Sequence, residues 1–296
     1  MIRVLFLAGS GRSGSTLVTT ALGQLDGFFA AGELRYLWQR GLVDDRPCGC
    51  GAAVRDCPMW RPILAGLPAH DPAGIAQGLR TRLRMRNRLR VEPHPDDEVI
   101  AALYRGIAEH TGGAIIVDSS KLPPYAVLVR SLPGVDLRVV HLVRDSRGMA
   151  YSWTKAVARP EAGADRTMMH QHKPSRSAAR WMGYNSLFHL LGTTEVPVTR
   201  VIYEDLVVDP RGQLDRILDG AGIDVDRSYP FLGDGWVELG SGHSVAGNPM
   251  RFNSGRLELR VDSAWRQKMA PRDRRTVTAL TAPLLAAYGY LGRKRR

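Results

Sequence analysis

The sequence is short of cysteine, of lysine and of long apolar runs. Three cysteines in 296 residues cannot make a disulfide framework. The uncharged stretch Ala279 to Gly292 is interrupted by Thr281, Pro283 and two glycines. It falls short of the about 20 apolar residues that span a bilayer. At the start, the apolar run Val4 to Ala8 is only five residues long and no small-residue cleavage site follows it. A signal-peptide core takes about 7–15. The expectation from these absences is a soluble, cytoplasmic protein with no membrane span.

Only five of the 41 basic residues are lysine. Bases still exceed acids by 41 to 29, a formal charge of +12, which favours anionic partners without choosing among nucleic acid, phospholipid and phosphate-bearing small molecules. An arginine bias this large can also follow from codon composition, so position matters more than total. At 44% hydrophobic and 24% charged, with 31 Gly and 18 Pro, the composition excludes collagen-like and disordered chains. No long polar linker or internal repeat divides the chain, and residues 1–296 are expected to form one domain.

One pattern recurs along the chain. Arg3 to Ala8 is an apolar run, followed by a glycine-rich loop from Gly9 to Thr16 and then by Leu17, Ala21 and Leu22 at helical spacing. The pattern returns at Ala114–Val117 before Asp118-Ser119-Ser120-Lys121, at Leu137–Val143 before Arg144-Asp145, and at Val198–Tyr203 before Glu204-Asp205. Four near-continuous apolar strands that end in polar clusters predict an α/β fold, a buried parallel sheet with helices on both faces. Ligands of such sheets sit at the carboxyl ends of the strands, where the four clusters would converge. Helices are predicted at about Pro72–Arg90, Asp96–Gly112, Arg147–Lys155, Pro174–Leu191 and Pro271–Tyr288. The alternate arginines of Arg80–Arg90 read as a solvated helix face rather than an anion-binding stripe.

Gly9 to Thr16 fits G-x-x-x-x-G-x-T, a P-loop whose lysine is replaced by Ser15. Backbone N–H groups leading into a helix still make an anion cradle, to which the Ser15 and Thr16 hydroxyls add donors. The loop loses the charge that meets the β and γ phosphates of a triphosphate and gains Arg12, a planar fork.

Gly11-Arg12-Ser13-Gly14-Ser15-Thr16-Leu17 resembles the 5′-phosphosulfate loop of sulfotransferases that use 3′-phosphoadenosine 5′-phosphosulfate (PAPS), especially the arginine-containing version of the tyrosylprotein and carbohydrate branches. Val143–Ser152 is similar to that family's 3′-phosphate motif, with Arg144 at a strand end and Ser152 eight residues on. Asp118–Lys121 resembles the segment that carries a lysine toward the sulfuryl group, and Tyr203-Glu204-Asp205-Leu206 the family's Tyr-Glu-Asp-Leu turn. Gly247–Phe252 resembles the late loop that closes over the nucleotide in bacterial members; Trp265 and Tyr288-Gly289-Tyr290 resemble their C-terminal region. The resemblance implies a P-loop-NTPase-like fold with PAPS as co-substrate. The nucleotide would be held by Gly11, Arg12, Ser13, Gly14, Ser15, Thr16, Arg144, Ser152, Tyr203 and Arg251.

Sulfuryl transfer to an alcohol needs a base at the attacking hydroxyl and cations on the leaving oxygen, with no metal required if Arg and Lys supply the charge. Gly32-Glu33-Leu34-Arg35 resembles the glutamate-then-arginine segment of the tyrosylprotein branch. One helix and a short strand after Arg12 could return Glu33 to the mouth of the loop. Glu33, Arg12 and Lys121 are therefore the expected catalytic set. His141, inside an apolar strand, reads as a core histidine, whereas His170 and His172 occupy a polar loop able to form an acceptor lid. Cys48, Cys50 and Cys57 form C-x-C-x6-C, one ligand short of a tetrahedral zinc site unless a histidine such as His70 completes it. A structural loop ranks first there, a metal second and a disulfide third, and no metal ligand is assigned.

The sequence thus predicts a sulfotransferase acting on a hydroxyl of a small-molecule, sugar or natural-product acceptor. Two alternatives stay open. A P-loop kinase would need a triphosphate-contacting lysine and a magnesium ligand, for which Asp118 is the weak candidate. A basic nucleic-acid-binding protein is suggested by the net charge and the Arg80–Arg90 run, but no recognition helix or aromatic platform accompanies them.

Overall fold

Ile2–Ala8 forms strand β1, buried on both sides from Val4 onward. The chain then runs through α1 (Ser15–Leu22), β2 (Phe28–Gly32), a 3-10 turn (Leu34–Tyr36) and a π-helix (Leu37–Val43). Next come α2 (Trp60–Ala65), α3 (Pro72–Arg82), α4 (Asp96–His110), β3 (Ile115–Lys121), α5 (Pro123–Ser131), β4 (Val135–Val143) and α6 (Ser146–Thr154). The remainder is α7 (Pro174–Leu191), β5 (Val198–Ile202), α8 (Tyr203–Val208), α9 (Pro210–Ala221), strands β6 (Leu232–Gly233), β7 (Trp236–Leu239) and β8 (Gly255–Glu258), α10 (Trp265–Lys268) and α11 (Pro271–Ala287). The structure, a computed structural model, describes residues 1–84, 89–157, 168 and 170–292.

Five strands pair in the order β2-β3-β1-β4-β5, all parallel. The pleat of β1 explains why helices cover both faces. Val4, Phe6 and Ala8 point into one apolar cluster with Tyr104 of α4, Tyr125 of α5 and Phe188 of α7. Leu5 and Leu7 point into another, with Leu17 and Val18 of α1 and Leu214, Ile217 and Leu218 of α9. A strand buried on both faces cannot alternate polar with apolar residues, hence the continuous runs seen in the sequence.

The predicted strands correspond to β1, β3, β4 and β5, and the short strand expected ahead of Glu33 is β2. Helix α3 stops at Arg82, short of the predicted Arg90; residues 85–88, and with them part of the Arg80–Arg90 run, lie outside the described residues. The antiparallel sheet β6-β7-β8 and the short helices α2, α5, α8 and α10 are not among the predicted elements, nor is α9, although Asp209-Pro210 and the helically spaced Leu214, Ile217, Leu218 and Ala221 mark it. Among the described residues, no helix is long and apolar enough to cross a membrane.

Candidate active site

The carboxyl ends of β1, β3 and β4 open on one cleft of about 850 Å³. The loop from Gly9 to Gly14 forms its floor. Gly14 sits at φ 91° as N-cap of α1, where a Cβ would overlap the ring of Tyr203. A Cβ on Gly9 would overlap the Leu142 carbonyl oxygen, and one on Gly11 the Trp153 ring. These glycines let the loop approach the Leu142 backbone and the Trp153 and Tyr203 rings, and the loop leads directly into the N-terminus of α1. Ser13 is fully buried with an unpartnered Oγ, an orphan donor inside the loop. A concave set of amides with an added hydroxyl fits an anion of phosphate or sulfate type.

Arg12 adopts φ 68° and Lys121 φ 65°, two of the four non-glycine residues in the left-handed region among those described. Such backbone costs of order 1–3 kcal/mol and concentrates at functional sites. Here it aims both cations into the cleft. Arg12 also lies over the Trp153 ring, 5.4 Å from its centroid.

Strand β2 ends at Gly32 and delivers Glu33 beside Lys121. Lys121 Nζ donates to Glu33 Oε1 at 2.5 Å and to the Ser119 carbonyl oxygen at 3.0 Å, and both side chains of the ion pair are about nine-tenths buried, at 11% and 12% exposure. Burial alone would raise the pKa of Glu33. The charges of Lys121, Arg40 and Arg35 outweigh it and hold the carboxyl below its ordinary range. The Glu33 backbone is fixed from both sides. Its N–H donates to the Val245 carbonyl oxygen at 2.8 Å, and the next amide, of Arg35 after Leu34, donates to Ser120 Oγ at 3.1 Å.

Asp118 organises that second contact. Its carboxylate accepts from the Ser120 N–H and hydroxyl and from the Tyr104 hydroxyl, and it has no exposed surface. Burial pushes its pKa up to about 6 against those hydrogen bonds. It does not line the cleft, so it is not placed as a magnesium ligand for a kinase.

At the β4 end, Arg144 is 7% exposed. It donates to the Arg12 carbonyl oxygen at 3.0 Å, pairs with Asp262 at 3.3 Å and lies over the Tyr203 ring. Ser152 lies on α6 at the same cleft. Asp145 caps α6 and binds Arg147 through both oxygens, while Glu204 accepts from the Asp145 amide and from the Tyr290 hydroxyl. This carboxylate chain ties the C-terminal region to the strand end that presents Arg144.

Of the sequence-predicted residues, Gly11, Arg12, Gly14, Ser15, Thr16, Glu33, Lys121, Arg144, Ser152 and Tyr203 line the cleft, with Ser13 just beneath. Arg251 does not. It is buried, donating to the Pro47 carbonyl oxygen at 3.0 Å and stacking on Phe252, while its neighbours Gly247, Asn248 and Met250 reach the cleft. His70 stands edge-on to Trp38 and away from the cysteines. His141 is a core residue bonded to Asn185 at 2.8 Å, and burial pushes its pKa down to about 4.

The residues 5–227 match the sulfotransferase family model. The chain belongs to the sulfotransferase family. Sulfuryl transfer in general is therefore its chemistry, and its mostly parallel, helix-flanked sheet is the sulfotransferase fold. Two solved structures share that fold. One is the sulfotransferase domain of the Synechococcus PCC 7002 olefin synthase, at 22% identity and TM-score 0.54, covering 95% of this chain and 94% of that one. The other is the sulfotransferase domain from the curacin biosynthetic pathway, at 17% identity and TM-score 0.53, covering 95% and 98%. No curated protein matches the chain.

In this sulfotransferase the cleft is also lined by residues that the motifs do not contain. Tyr36 lies between the guanidinium groups of Arg35 and Arg40, at 3.9 and 3.8 Å from its ring centroid. Tyr184, Arg176 and Arg180 come from α7, and His172 stacks on Trp153 at 4.7 Å while bonding Arg180. Apart from His172, expected in a polar lid loop, their sequence signal is the arginine and tyrosine content of the segments beside Glu33 and ahead of β5.

Proposed function

We propose that this sulfotransferase moves the sulfuryl group of PAPS to a hydroxyl of a small acceptor, with Glu33 as the general base. The observation that carries the proposal is the buried Glu33–Lys121 pair, held at the rim of an anion-binding loop whose triphosphate-contacting lysine is replaced by Ser15. PAPS supplies an activated sulfuryl group on a phosphate leaving group, with a 3′-phosphate as a second handle. The loop amides and the hydroxyls of Ser13, Ser15 and Thr16 suit the 5′-phosphosulfate. Arg144 and Ser152 suit the 3′-phosphate; Arg251 supports the late loop through Pro47 instead.

Glu33, held ionised at neutral pH by its cationic neighbours, takes the proton of the attacking hydroxyl as the new oxygen–sulfur bond forms and the bond to the leaving phosphate oxygen breaks. Lys121 and Arg12 supply positive charge where that leaving oxygen gains negative charge. The Tyr36, Tyr184, Arg40, Arg176 and Arg180 end favours an acceptor that carries a ring or an acidic group near its hydroxyl.

Calorimetric titration with 3′-phosphoadenosine 5′-phosphate (PAP), ADP and Mg-ATP tests the donor. Magnesium-independent binding of PAP, tighter than either competitor, is expected. Preference for Mg-ATP would overturn the proposal in favour of a kinase.

A further inference from the structure

Cys48, Cys50, Cys57 and His243 bring their ligand atoms within 4.8 Å of one another. The contacts are Cys57 Sγ to Cys48 Sγ at 3.6 Å, to Cys50 Sγ at 3.7 Å and to His243 Nδ1 at 3.3 Å. Ligands at about 2.3 Å for sulfur and about 2.0 Å for nitrogen around a tetrahedral zinc stand about 3.8 Å apart sulfur to sulfur, and slightly less sulfur to nitrogen. A disulfide would require about 2.05 Å. The three contacts of Cys57 have the spacing of ligands around one ion, and the remaining pairs lie within 4.8 Å.

The backbone is shaped to the same end. Cys48 and Cys50 occupy a tight turn closed by the Gly51 N–H on the Cys48 carbonyl at 2.9 Å, with Gly51 at φ 91°. The Cys48 N–H donates to the Ala52 carbonyl oxygen at 2.8 Å. Cys57 lies one turn before α2, and its carbonyl oxygen accepts the Arg61 N–H at 2.8 Å. His243 arrives from 186 residues further on, its carbonyl oxygen held by Trp60 Nε1 at 2.6 Å. Gly49 allows the approach, since a Cβ there would stand 2.7 Å from the Gly242 carbonyl oxygen.

We propose that Cys48, Cys50, Cys57 and His243 form a structural zinc site that staples the 47–57 loop to the 241–247 segment. Four protein ligands close the coordination shell, so the ion has no open position for substrate or activated water and its role is to hold. What it holds adjoins the cleft. Two residues after His243, Val245 accepts the Glu33 N–H and its own N–H donates to the Ala31 carbonyl oxygen at 2.9 Å. One residue before Cys48, Pro47 accepts from Arg251. Zinc binding releases the thiol protons to solvent and fixes two loops that share no secondary structure.

The inference is independent of the donor and the acceptor, and a protein that holds zinc but ignores PAP leaves it standing. Elemental analysis of the full chain, purified under reducing conditions with zinc supplied and passed over a chelating resin, is expected to give one zinc per chain. Cobalt substitution should show thiolate-to-cobalt charge transfer and the intense visible bands of a tetrahedral site, and His243→Ala should shift those bands. Cys50→Ser, at the exposed ligand, should fold and lose zinc more than about 100-fold faster to a competing chelator. Chelation should lower the Tm of the wild type and leave that of Cys50→Ser almost unmoved. Sub-stoichiometric zinc together with a thiol count of one in denaturant would mean a disulfide and overturn the site. Sub-stoichiometric zinc with three free thiols would overturn it equally, as would octahedral cobalt bands.

Discussion

At the end of the cleft where we propose that the donor binds, the polar groups are backbone amides and buried side chains fixed by the sheet. Ser13 is enclosed, Arg144 is clamped by Asp262 and Tyr203, and three loop glycines exist because neighbouring atoms leave no room for a Cβ. At the end proposed for the acceptor, the groups are side chains on helix surfaces. Arg176 and Arg180 are exposed, and Arg35, Tyr36 and Arg40 stack mainly on one another. The difference teaches that, on the proposed reading, the donor site would be part of the fold and the acceptor site an attachment to it, free to change without disturbing the sheet. Glu33 and Lys121 stand where the two meet.

That division is broken most severely at the junction. Lys121→Ala should lower kcat about 10²–10³-fold and weaken PAP binding by a smaller factor, since PAP keeps the leaving oxygen, as initial rates and calorimetry would show. Arg144→Ala should instead weaken PAP binding about 10–100-fold, the loss expected for charge-assisted hydrogen bonds, with the acceptor KM unmoved. Gly14→Ala should weaken PAP binding comparably although no charge is removed, because the Cβ meets Tyr203 at φ 91°. If Gly14→Ala bound PAP normally, the donor end would not be the rigid cradle described. Arg180→Ala should sharpen the contrast, raising the acceptor KM about two- to fivefold with PAP binding intact, the modest loss typical of an exposed charge.

The smallest effect on activity belongs to pH near neutrality. Glu33 is held below the ordinary carboxylate range and must be ionised, so kcat should lose its acid limb only as pH falls below that range, with no step near 6.5. His141 is the internal control. Its folded pKa of about 4 lies below the unfolded value of 6.5, so its contribution is present above 6.5 and is lost as pH falls through about 4. It amounts to up to about 3 kcal/mol of stability. Histidine NMR should find it neutral at pH 6, and titration near 6.5 would contradict its burial against Asn185.

The same division decided what could be read from sequence. The placement of the glycine-rich loop, Lys121 and Arg144 at the cleft is legible because each lies within a few residues of the strand that positions it, and the apolar runs mark those strands. Glu33 is legible for a related reason, one helix and β2 carrying it back to the loop. Tyr184 and Arg180 are not, because they reach the cleft only through the packing of α7, and on a helix surface they resemble any solvated pair. Arg251 shows the limit most clearly. The resemblance implies a nucleotide contact for it, while its guanidinium donates to a carbonyl oxygen 204 residues away that no local pattern marks. His243 was hidden for that reason too, and the nearer His70 turns to Trp38 instead.

The central claim is that proton removal and donor binding are separate tasks, and Glu33→Gln tests it most directly. PAPS labelled in its sulfuryl group would be offered with hydroxylated acceptors to the wild type and the variant, with PAP affinity measured on both. The account predicts label transfer by the wild type, a loss of about 10²–10⁴-fold in the variant and equal PAP binding. A variant that transfers label as fast as the wild type would contradict it.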